Sequence, residues 1–359
     1  MNNPFKYGSI VEGDFFTNRA EDLLKAKQII ESSNHLILIS PRRYGKTSLI
    51  QKTVSRLNRP VISLNLQLVT TTSDLATELL KKVLNIYPLE KIKQFFKNFR
   101  IAPIISINPQ TNTFDVRFLP TQTAVPILED VFTLIETLGK KGKKPIVVLD
   151  EFQEIRDIDK FLDKQLRSII QLHQHVNYVF MGSQESLMRE IFERKKSPFY
   201  HFGTLQTLET IPYSDFEKFL TTGFSLLNKK IALSIAKNIL ALTKQHPYYT
   251  QMLAFHYFNA LLRDKSATMQ DVFLSIVREH GLDYDRLWTG LNRKDRELIL
   301  ELIYVEKGLK EKNTQIPTST RYSAYKRLLQ NGYLIQSKEG YKVEDPFFAS
   351  WIFDRRENA

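Results

Sequence analysis

The sequence predicts an α/β fold in which a parallel sheet core is followed by helices and by a small C-terminal module. Up to about residue 211, short apolar segments alternate with segments of helical periodicity, which is the order of a doubly wound sheet. The central apolar segments lack polar alternation, as in strands that are buried on both faces. After Pro212 the strand pattern stops and helical periodicity continues, so the sheet is expected to end there.

Five strands and five helices are expected in the first part of the chain. The expected strands cover residues 35–39, 61–66, 145–149, 178–181 and 208–211. The expected helices cover residues 19–32, 46–57, 73–85, 122–138 and 159–174. Residues 88–120 interrupt this order with a basic helical segment and a hairpin at 104–118, because the turn residues at 108–112 separate two strand-like runs.

Helices and a hairpin account for the rest of the chain. Helices are expected at 214–222, 229–244, 247–263, 268–280, 292–306 and 319–330, and a hairpin at 333–343. Helix, helix, hairpin is the order of a winged-helix domain. We therefore predict three domains, namely a core at 1–212, a helical lid at 213–283 and a winged-helix domain at 284–359.

Composition narrows the classes of function. The chain has 359 residues, no cysteine and a formal net charge of +12. The lack of cysteine excludes disulfides, thiol nucleophiles and cysteine-based zinc sites, and the basic excess favours a polyanionic partner such as nucleic acid. The sequence shows no leader-like start and no apolar run of ~18 residues. We therefore expect a cytoplasmic protein without a membrane partner.

The most informative segment is the loop between the first expected strand and the helix at 46–57. It matches the phosphate-binding loop G-x-x-x-x-G-K-[ST], except that Ser40 replaces the first glycine. Gly45 lets the backbone approach phosphates at a helix N-terminus, Lys46 can reach the β- and γ-phosphates, and Thr47 can ligate Mg²⁺. The sequence therefore predicts a P-loop NTPase. The nucleotide-binding residues predicted from this loop are Ser40, Pro41, Arg42, Arg43, Tyr44, Gly45, Lys46, Thr47 and Ser48.

Polar residues also follow two later strands. Asp150 suits a Mg²⁺ ligand, and Glu151 can polarise a water for attack on the γ-phosphate. Ser183 and Gln184 follow the strand at 178–181, at the sheet edge where open α/β sheets bind ligands. We predict that either of them senses the γ-phosphate or orients the water, with ordinary turn residues as the alternative. Lys46, Glu151, Ser183 and Gln184 are thus the predicted catalytic set.

These residues resemble the AAA+-related P-loop ATPases of the archaeal-type ATPase family, close to the STAND and origin-recognition branches. The resemblance spans nearly the whole chain and rests on residues 2–5, 16–19, 41–48, 148–153, 182–183, 197–200, 246–249 and 345–351. It implies Mg²⁺-ATP as the ligand of an ATPase core with a helical lid and a winged helix.

The resemblance also implies further nucleotide contacts. Val11, Phe15 and Phe16 would lie near the adenine, and His246 and Pro247 would contact the nucleotide from the lid. For these last two residues the alternative is the capped start of a packed helix, with proline in the first turn.

One arginine of the family pattern is displaced. Similar proteins often carry Gly-Arg after the segment 198–200, where this sequence has His201 and Phe202. A charge stabiliser is therefore missing at its expected place. Four arginines remain open as its replacement, Arg42, Arg43, Arg189 and Arg194.

The C-terminal module carries basic residues that can contact DNA phosphates. These candidates are Arg321, Lys326, Arg327, Lys338 and Lys342. A structural or protein-docking role is equally open.

Two hypotheses follow from the whole sequence. The first is an ATPase that acts as a nucleotide-driven molecular switch, with slow or partner-stimulated hydrolysis. The alternative is a winged-helix DNA-binding regulator or mobile-element factor in which ATP is mainly a structural ligand. The expected partners are ATP and ADP, with duplex DNA, a protein partner or self-association as further possibilities.

Overall fold

A computed structural model describes residues 2–10, 13–17, 19–32, 34–108, 110–111, 113–119, 123–309, 317–337 and 340–357. The chain forms two compact units. The sheet unit consists of Ala20–Ser40 and Leu49–Leu208. The helical unit consists of Met1–Arg19, Pro41–Ser48 and Glu209–Ala359.

The sheet unit is built on a parallel sheet of five strands. In chain order, the strands of this unit are β1 (Leu36–Ile39), β2 (Val61–Asn65), β3 (Ile104–Asn108), β4 (Thr113–Arg117), β5 (Ile146–Asp150), β6 (Asn177–Gly182) and β7 (Thr204–Thr207). The five-stranded sheet has the order β2-β5-β6-β1-β7, with all neighbours parallel. β1 and β6 are buried at every position, which confirms the prediction of strands covered on both faces.

The last strand of the sheet lies earlier in the chain than expected. The prediction of a strand at 208–211 is wrong, because β7 covers Thr204–Thr207 and pairs with β1. This strand has no apolar run that periodicity could detect. Its buried Gln206 instead donates a hydrogen bond from Nε2 to the carbonyl of Asp22 at 3.1 Å.

Helices surround the sheet within this unit. In chain order they are α1 (Ala20–Glu31), α2 (Lys46–Val54), α3 (Thr72–Ile86), α4 (Leu89–Lys93), α5 (Val125–Lys141), α6 (Ile155–Ile158), α7 (Leu162–Ile170) and α8 (Glu185–Glu193). The first turn of α2 belongs by its contacts to the helical unit. The antiparallel pair β3 and β4 confirms the inserted hairpin. Sequence periodicity did not predict α8.

The helical unit contains eight further helices among its described residues. They are α9 (Tyr213–Ser225), α10 (Ala232–Thr243), α11 (Pro247–Arg263), α12 (Met269–Glu279), α13 (Gly281–Gly290), α14 (Arg293–Glu306), α15 (Thr318–Gln330) and α16 (Pro346–Glu357). A hairpin of β8 (Leu334–Ser337) and β9 (Gly340–Val343) lies between α15 and α16. The expected order of helix, helix and hairpin is therefore present, whereas α13 and α16 were not predicted.

One apolar core runs through the helical unit. It includes Phe216 and Leu253 from the predicted lid and Leu298 and Phe347 from the C-terminal module. Phe5 also joins this core. These elements thus share one core, while the division of the chain into three domains stays a prediction. None of the described helices combines the length and the apolar character needed to cross a membrane.

Candidate functional site

The loop at residues 41–48 curls tightly before α2. Gly45 has φ +88, a left-handed conformation that favours glycine, and no described residue other than its chain neighbours has an atom within 4 Å of the position that a Cβ would take. The glycine is therefore required by the backbone and not by space. Arg43 also has a left-handed φ of 62, which non-glycine residues adopt only where their surroundings hold them.

Lys46 opens α2 and is only 6% exposed. Its Nζ contacts the carbonyl oxygen of Pro41 at 3.5 Å. A cation in the first turn of a helix opposes the helix dipole, and an anion at that helix end removes the conflict. The position of this lysine therefore suits a site that binds phosphate.

Arg19 supports the loop from within the helical unit, a role that the sequence did not reveal. Its guanidinium donates to the carbonyl of Tyr44 at 3.2 Å and to the carbonyl of Glu209 at 2.9 Å. The bond to Tyr44 restrains the loop next to Gly45. Arg19 belongs to the segment 16–19 that carries the family resemblance, and this was the one sequence signal for it.

The guanidinium of Arg43 lies in a cage of aromatic and acidic side chains, which we call the Arg43 cage. It is formed by Tyr248 and Tyr249 of α11 and by Glu344. The Cζ of Arg43 lies 4.6 Å from the ring centre of Tyr248, and Nη1 donates to Tyr249 Oη at 2.9 Å. Tyr249 Oη in turn donates to Glu344 Oε2 at 3.1 Å. Desolvation lowers the pKa of Arg43, but Tyr249 and Glu344 outweigh it and raise the pKa above its usual value.

His246 joins the same network. Its Nε2 lies 3.1 Å from Glu344 Oε1, and its ring centre lies 5.0 Å from that of Tyr44. The side chain is buried, and in the part of the chain that the structure describes its Nδ1 has no hydrogen-bond partner. His246 precedes α11 and Pro247 occupies the first turn, as in the helix-start alternative, but His246 makes no capping hydrogen bond. The nucleotide contact of both residues stays a prediction.

A cavity of about 410 Å³ opens beside the Arg43 cage. Arg42 and Arg43 line it together with Tyr284 and Asp345. Burial raises the pKa of Asp345, whose Oδ1 accepts the backbone N–H of Phe347 and thereby caps α16. The loop at 41–48 is thus connected to the start of α16 inside the helical unit.

The other predicted residues lie at one edge of the sheet unit. Asp150 ends β5 opposite Asn65 of β2, and Ser183 follows β6. The backbone N–H of Ser40, directly after β1, donates to the carbonyl of Gly182 at 3.3 Å. The carboxyl ends of β5, β6 and β1 therefore bring Asp150, Ser183 and Ser40 to the same edge, as in other open α/β sheets.

The Glu151 carboxylate is held by three donors on one oxygen. Its Oε2 accepts Ser183 Oγ at 2.6 Å, Ser183 N at 3.1 Å and Gln153 Nε2 at 2.6 Å. Glu151 itself has φ 52 and ψ 47, which is left-handed. Gln153 belongs to the segment 148–153 that carries the family resemblance, and the sequence did not predict its contact with Glu151. Gln184 precedes α8 without a side-chain capping bond.

The residues predicted near the adenine are only partly described. Val11 and Lys338 lie outside the described residues. Phe15 and Phe16 are half-buried, and the carbonyl of Phe15 accepts Gln251 Nε2 of α11 at 3.2 Å. The N-terminal segment is therefore tied to α11.

Two of the DNA candidates are engaged in ion pairs. Arg321 pairs with Glu301, and Arg327 Nη2 lies 2.6 Å from Oδ1 of the buried Asp295. Both pairs join α15 to α14. Lys326 is exposed and Lys342 is half-buried.

Ion pairs also engage two of the candidate replacements for the missing arginine. Arg189 pairs with Glu185 and Glu193, and Arg194 pairs with Glu190, all within α8 or at its end. Arg43 is held in its cage. The question of which arginine stabilises the transition state stays open among the four candidates.

Comparison with known proteins gives a consistent picture. The family model of an ATPase domain predominantly from Archaea matches residues 16–253. An uncharacterized ATP-binding protein of Methanocaldococcus jannaschii is 27% identical over 198 residues, which cover 51% of this chain and 54% of that protein. The chain spans about half the length of the curated relatives it matches.

Two solved structures have a similar fold. A Walker-type ATPase of Pyrococcus abyssi has a TM-score of 0.67 at 20% identity, covering 96% of this chain and 97% of that chain. The ORC2 protein of Aeropyrum pernix, solved as ADPNP–ADP complexes, has a TM-score of 0.53 at 13% identity, covering 99% and 100%. At these identities the likeness establishes the fold, an α/β architecture with a parallel sheet core.

Proposed function

Because the chain belongs to the family of ATPase domains found predominantly in Archaea, we propose that it is a Mg²⁺-dependent ATPase that acts as a nucleotide-driven molecular switch. The observation that carries this proposal is the buried Lys46 at the start of α2, directly after the left-handed Gly45. A buried ammonium at the positive end of a helix is favourable when phosphate lies there. The nucleotide is proposed to be ATP because the archaeal relative is an ATP-binding protein.

Different residues of the loop and of the strand ends are proposed to bind the phosphates and Mg²⁺. Residues 40–48 bind the phosphates, and Lys46 neutralises their negative charge. The hydroxyl of Thr47 and the carboxylate of Asp150 are oxygen donors of the kind that Mg²⁺ prefers. When bound, Mg²⁺ would neutralise charge on the phosphate oxygens. Val11, Phe15, Phe16, His246 and Pro247 are the proposed contacts outside this loop.

Glu151 is the proposed base. Its carboxylate takes up the proton of a water as that water attacks the γ-phosphate. The hydrogen bonds from Ser183 restrain one carboxylate oxygen. Ser183 therefore acts on the reaction through Glu151, and Gln184 stays a candidate sensor of the γ-phosphate.

The Arg43 cage is the proposed link between nucleotide and conformation. Arg43 belongs to the loop that binds phosphate, and its cage includes α11 and Glu344, two residues before α16. A guanidinium next to phosphate gains an alternative anionic partner. Occupation of the loop thus competes with the cage for Arg43 and shifts the balance between two arrangements of the helical unit.

The test measures ATP affinity and steady-state hydrolysis for matched pairs of variants. We expect Lys46→Ala to lose ATP binding, whereas Lys52→Ala, in the same helix, binds as wild type does. We expect Glu151→Gln to bind ATP without turnover, whereas Glu185→Gln at the start of α8 turns over normally. ATP binding by Lys46→Ala at wild-type affinity would contradict the loop assignment. Normal hydrolysis by Glu151→Gln would remove Glu151 as the base.

A winged-helix DNA-binding regulator or mobile-element factor is the alternative function. The order of α14, α15, β8 and β9 and the exposed Lys326 favour it. The ion pairs of Arg321 and Arg327 weaken it, since a guanidinium paired with a half-buried carboxylate, as in Arg321, or a buried one, as in Arg327, is costly to withdraw. Measuring DNA binding and the ATP hydrolysis rate with duplex DNA at fixed salt distinguishes the two proposed functions. A DNA-dependent hydrolysis rate that is lost in Lys326→Ala supports the alternative, and an unchanged rate with no binding excludes it.

A further inference from the structure

Gln153 is a buried polar side chain beside the proposed base. It lies in a short 3₁₀ helix, Phe152–Glu154, and is 4% exposed. Its Nε2 donates to Glu151 Oε2 at 2.6 Å and lies 3.3 Å from Glu154 Oε1. Its Oε1 is buried and has no hydrogen-bond partner among the described residues. A buried amide oxygen without a hydrogen bond destabilises the folded state. The hydrogen bond from Nε2 to Glu151 offsets this cost only in part.

The surroundings of Gln153 are shaped to keep its amide in this place. Phe152, the preceding residue, packs its ring against Phe180 and Phe199 at centroid distances of 4.7 and 5.3 Å. On the other side, a Cβ added to Gly182 would lie 2.6 Å from Gln153 Oε1. Gly182 therefore leaves the space that the amide occupies. Phe152, the first residue of the 3₁₀ helix, anchors this helix through its ring contacts. The Gln153 side chain occupies the space next to Gly182.

The position of the Glu151 carboxylate depends on these donors. Ser183 provides two hydrogen bonds to Oε2 from the end of β6, and Gln153 provides the third. The left-handed backbone of Glu151 is a conformation that persists only where neighbouring groups hold it. Since Ser183 approaches from β6 and Gln153 from the 3₁₀ helix, the two donor groups restrain the carboxylate from different elements.

We propose that Gln153 is a positioning residue for Glu151 in ATP hydrolysis. It orients the carboxylate so that a proton is taken from the attacking water, and it does not contact the reacting atoms itself. The proposal rests on the proposed function, in which Glu151 is the base. Small errors in the placement of a catalytic group lower the rate of the chemical step more than they lower substrate binding.

The experiment replaces the amide and leaves the volume nearly unchanged. In Gln153→Met the donor is lost, and we expect kcat for ATP hydrolysis to fall about 10-fold while KM and ATP affinity stay at wild-type values. The matched control is Gln206→Met in β7. Gln206 is also a buried glutamine whose Oε1 finds no hydrogen-bond partner within the described ranges, and its amide contacts Asp22 instead of Glu151. We expect the control to keep wild-type kcat.

A second comparison separates positioning from a purely structural role. In the Glu151→Gln background, Gln153→Met removes nothing further if Gln153 acts through Glu151, so the double variant should match the single one in residual rate. An additional loss in the double variant overturns the proposal. Wild-type kcat in Gln153→Met, or an equal fall in Gln206→Met, also overturns it.

Two further results keep the test decisive. If Gln153→Met does not fold, Gln153→Asn replaces it, because the shorter amide keeps the polarity but is too short to bond Glu151. The same fall in kcat is expected. If Glu151→Gln hydrolyses ATP normally, the proposed function fails and this inference fails with it. If Glu151→Gln is inactive but Gln153→Asn has wild-type kcat, only the positioning role is refuted.

Discussion

Gly182→Ala tests whether the end of β6 is shaped around the support of Glu151. The added Cβ would lie 2.4 Å from both Cγ and Sδ of Met188 and 2.6 Å from Oε1 of Gln153. Real Cβ atoms do not approach other atoms so closely, and the fully buried Met188 has little room to move. Overpacking of this kind lowers stability by about 1–3 kcal/mol, so we expect that loss in the free energy of unfolding of the sheet unit.

The assay is urea denaturation followed by circular dichroism, together with steady-state ATP hydrolysis. Gly290→Ala at the end of α13 is the control, since apart from its chain neighbours and the backbone of its own helix no described residue has an atom within 4 Å of the Cβ position there. We expect the control to be unchanged or slightly more stable, because alanine reduces the entropy of the unfolded chain. Because the new methyl group displaces the Gln153 amide, kcat should also fall in Gly182→Ala.

Two outcomes would refute this reasoning at different steps. If the free energy of unfolding of Gly182→Ala stays within about 0.5 kcal/mol of the wild-type value, the contacts around Gly182 do not need a glycine. If stability falls by the expected amount but kcat is unchanged, the Gln153 amide stays in place and Met188 alone accommodates the methyl group.

Three other predictions concern the helical unit and pH. Glu344→Gln weakens the Arg43 cage, so the ATP-dependent change in hydrogen exchange at α16 that we expect for wild type should be lost in this variant; an identical change in both proteins contradicts the proposed link. Arg327→Met leaves the carboxylate of Asp295 buried without its partner and should destabilise the helical unit by about 1–3 kcal/mol in urea denaturation. Arg293→Met, at an ion pair whose arginine is exposed, should not change the free energy of unfolding measurably. Equal losses in Arg293→Met and Arg327→Met would show that the burial of the ion pair does not determine its contribution. Burial lowers the pKa of His35 to about 4, so between about pH 6.5 and 4 the unfolded chain binds a proton that the folded chain does not. The contribution of His35 to the free energy of unfolding should therefore be fully present above pH 6.5 and decrease towards pH 4. His35→Gln should reduce that decrease, and an unchanged dependence of the free energy of unfolding on pH would exclude His35 as its source.

The sequence predicted those parts of the fold in which local pattern and burial coincide. β1 is apolar along its whole length, and β6 is apolar from Tyr178 to Met181, because both faces are covered, so the sequence pattern identifies them directly. The sequence did not predict β7, because its buried side chain is the polar Gln206. The hydrogen-bond partner of Gln206 is Asp22, which lies 184 positions away in the sequence. A pattern within one segment carries no information on such a partner.

The same distinction separates the predicted from the unpredicted site residues. Lys46 and Glu151 follow from local motifs, since helix start and strand end are set by neighbouring residues. The Arg43 cage joins residues 206 positions apart, and no spacing rule connects them. Gln153 is only two residues from Glu151 in sequence, yet its contact depends on the space left at Gly182, which belongs to β6.

The contacts of the loop at 41–48 indicate which residues the proposed nucleotide binding would affect first. Arg19 holds the carbonyl of Tyr44, Arg43 contacts α11, and the ring of Tyr44 packs on His246, so all these contacts lie inside the helical unit. A change in the loop therefore reaches α11 and Glu344 through one or two side chains. The Glu344 carboxylate accepts hydrogen bonds from both Tyr249 and His246. If the carboxylate moves with one of these donors, its hydrogen bond to the other becomes weaker. In the proposed switch, movement of Arg43 towards a phosphate would therefore favour a different arrangement of Glu344, and Glu344 is our candidate for the two-state element that such a switch requires.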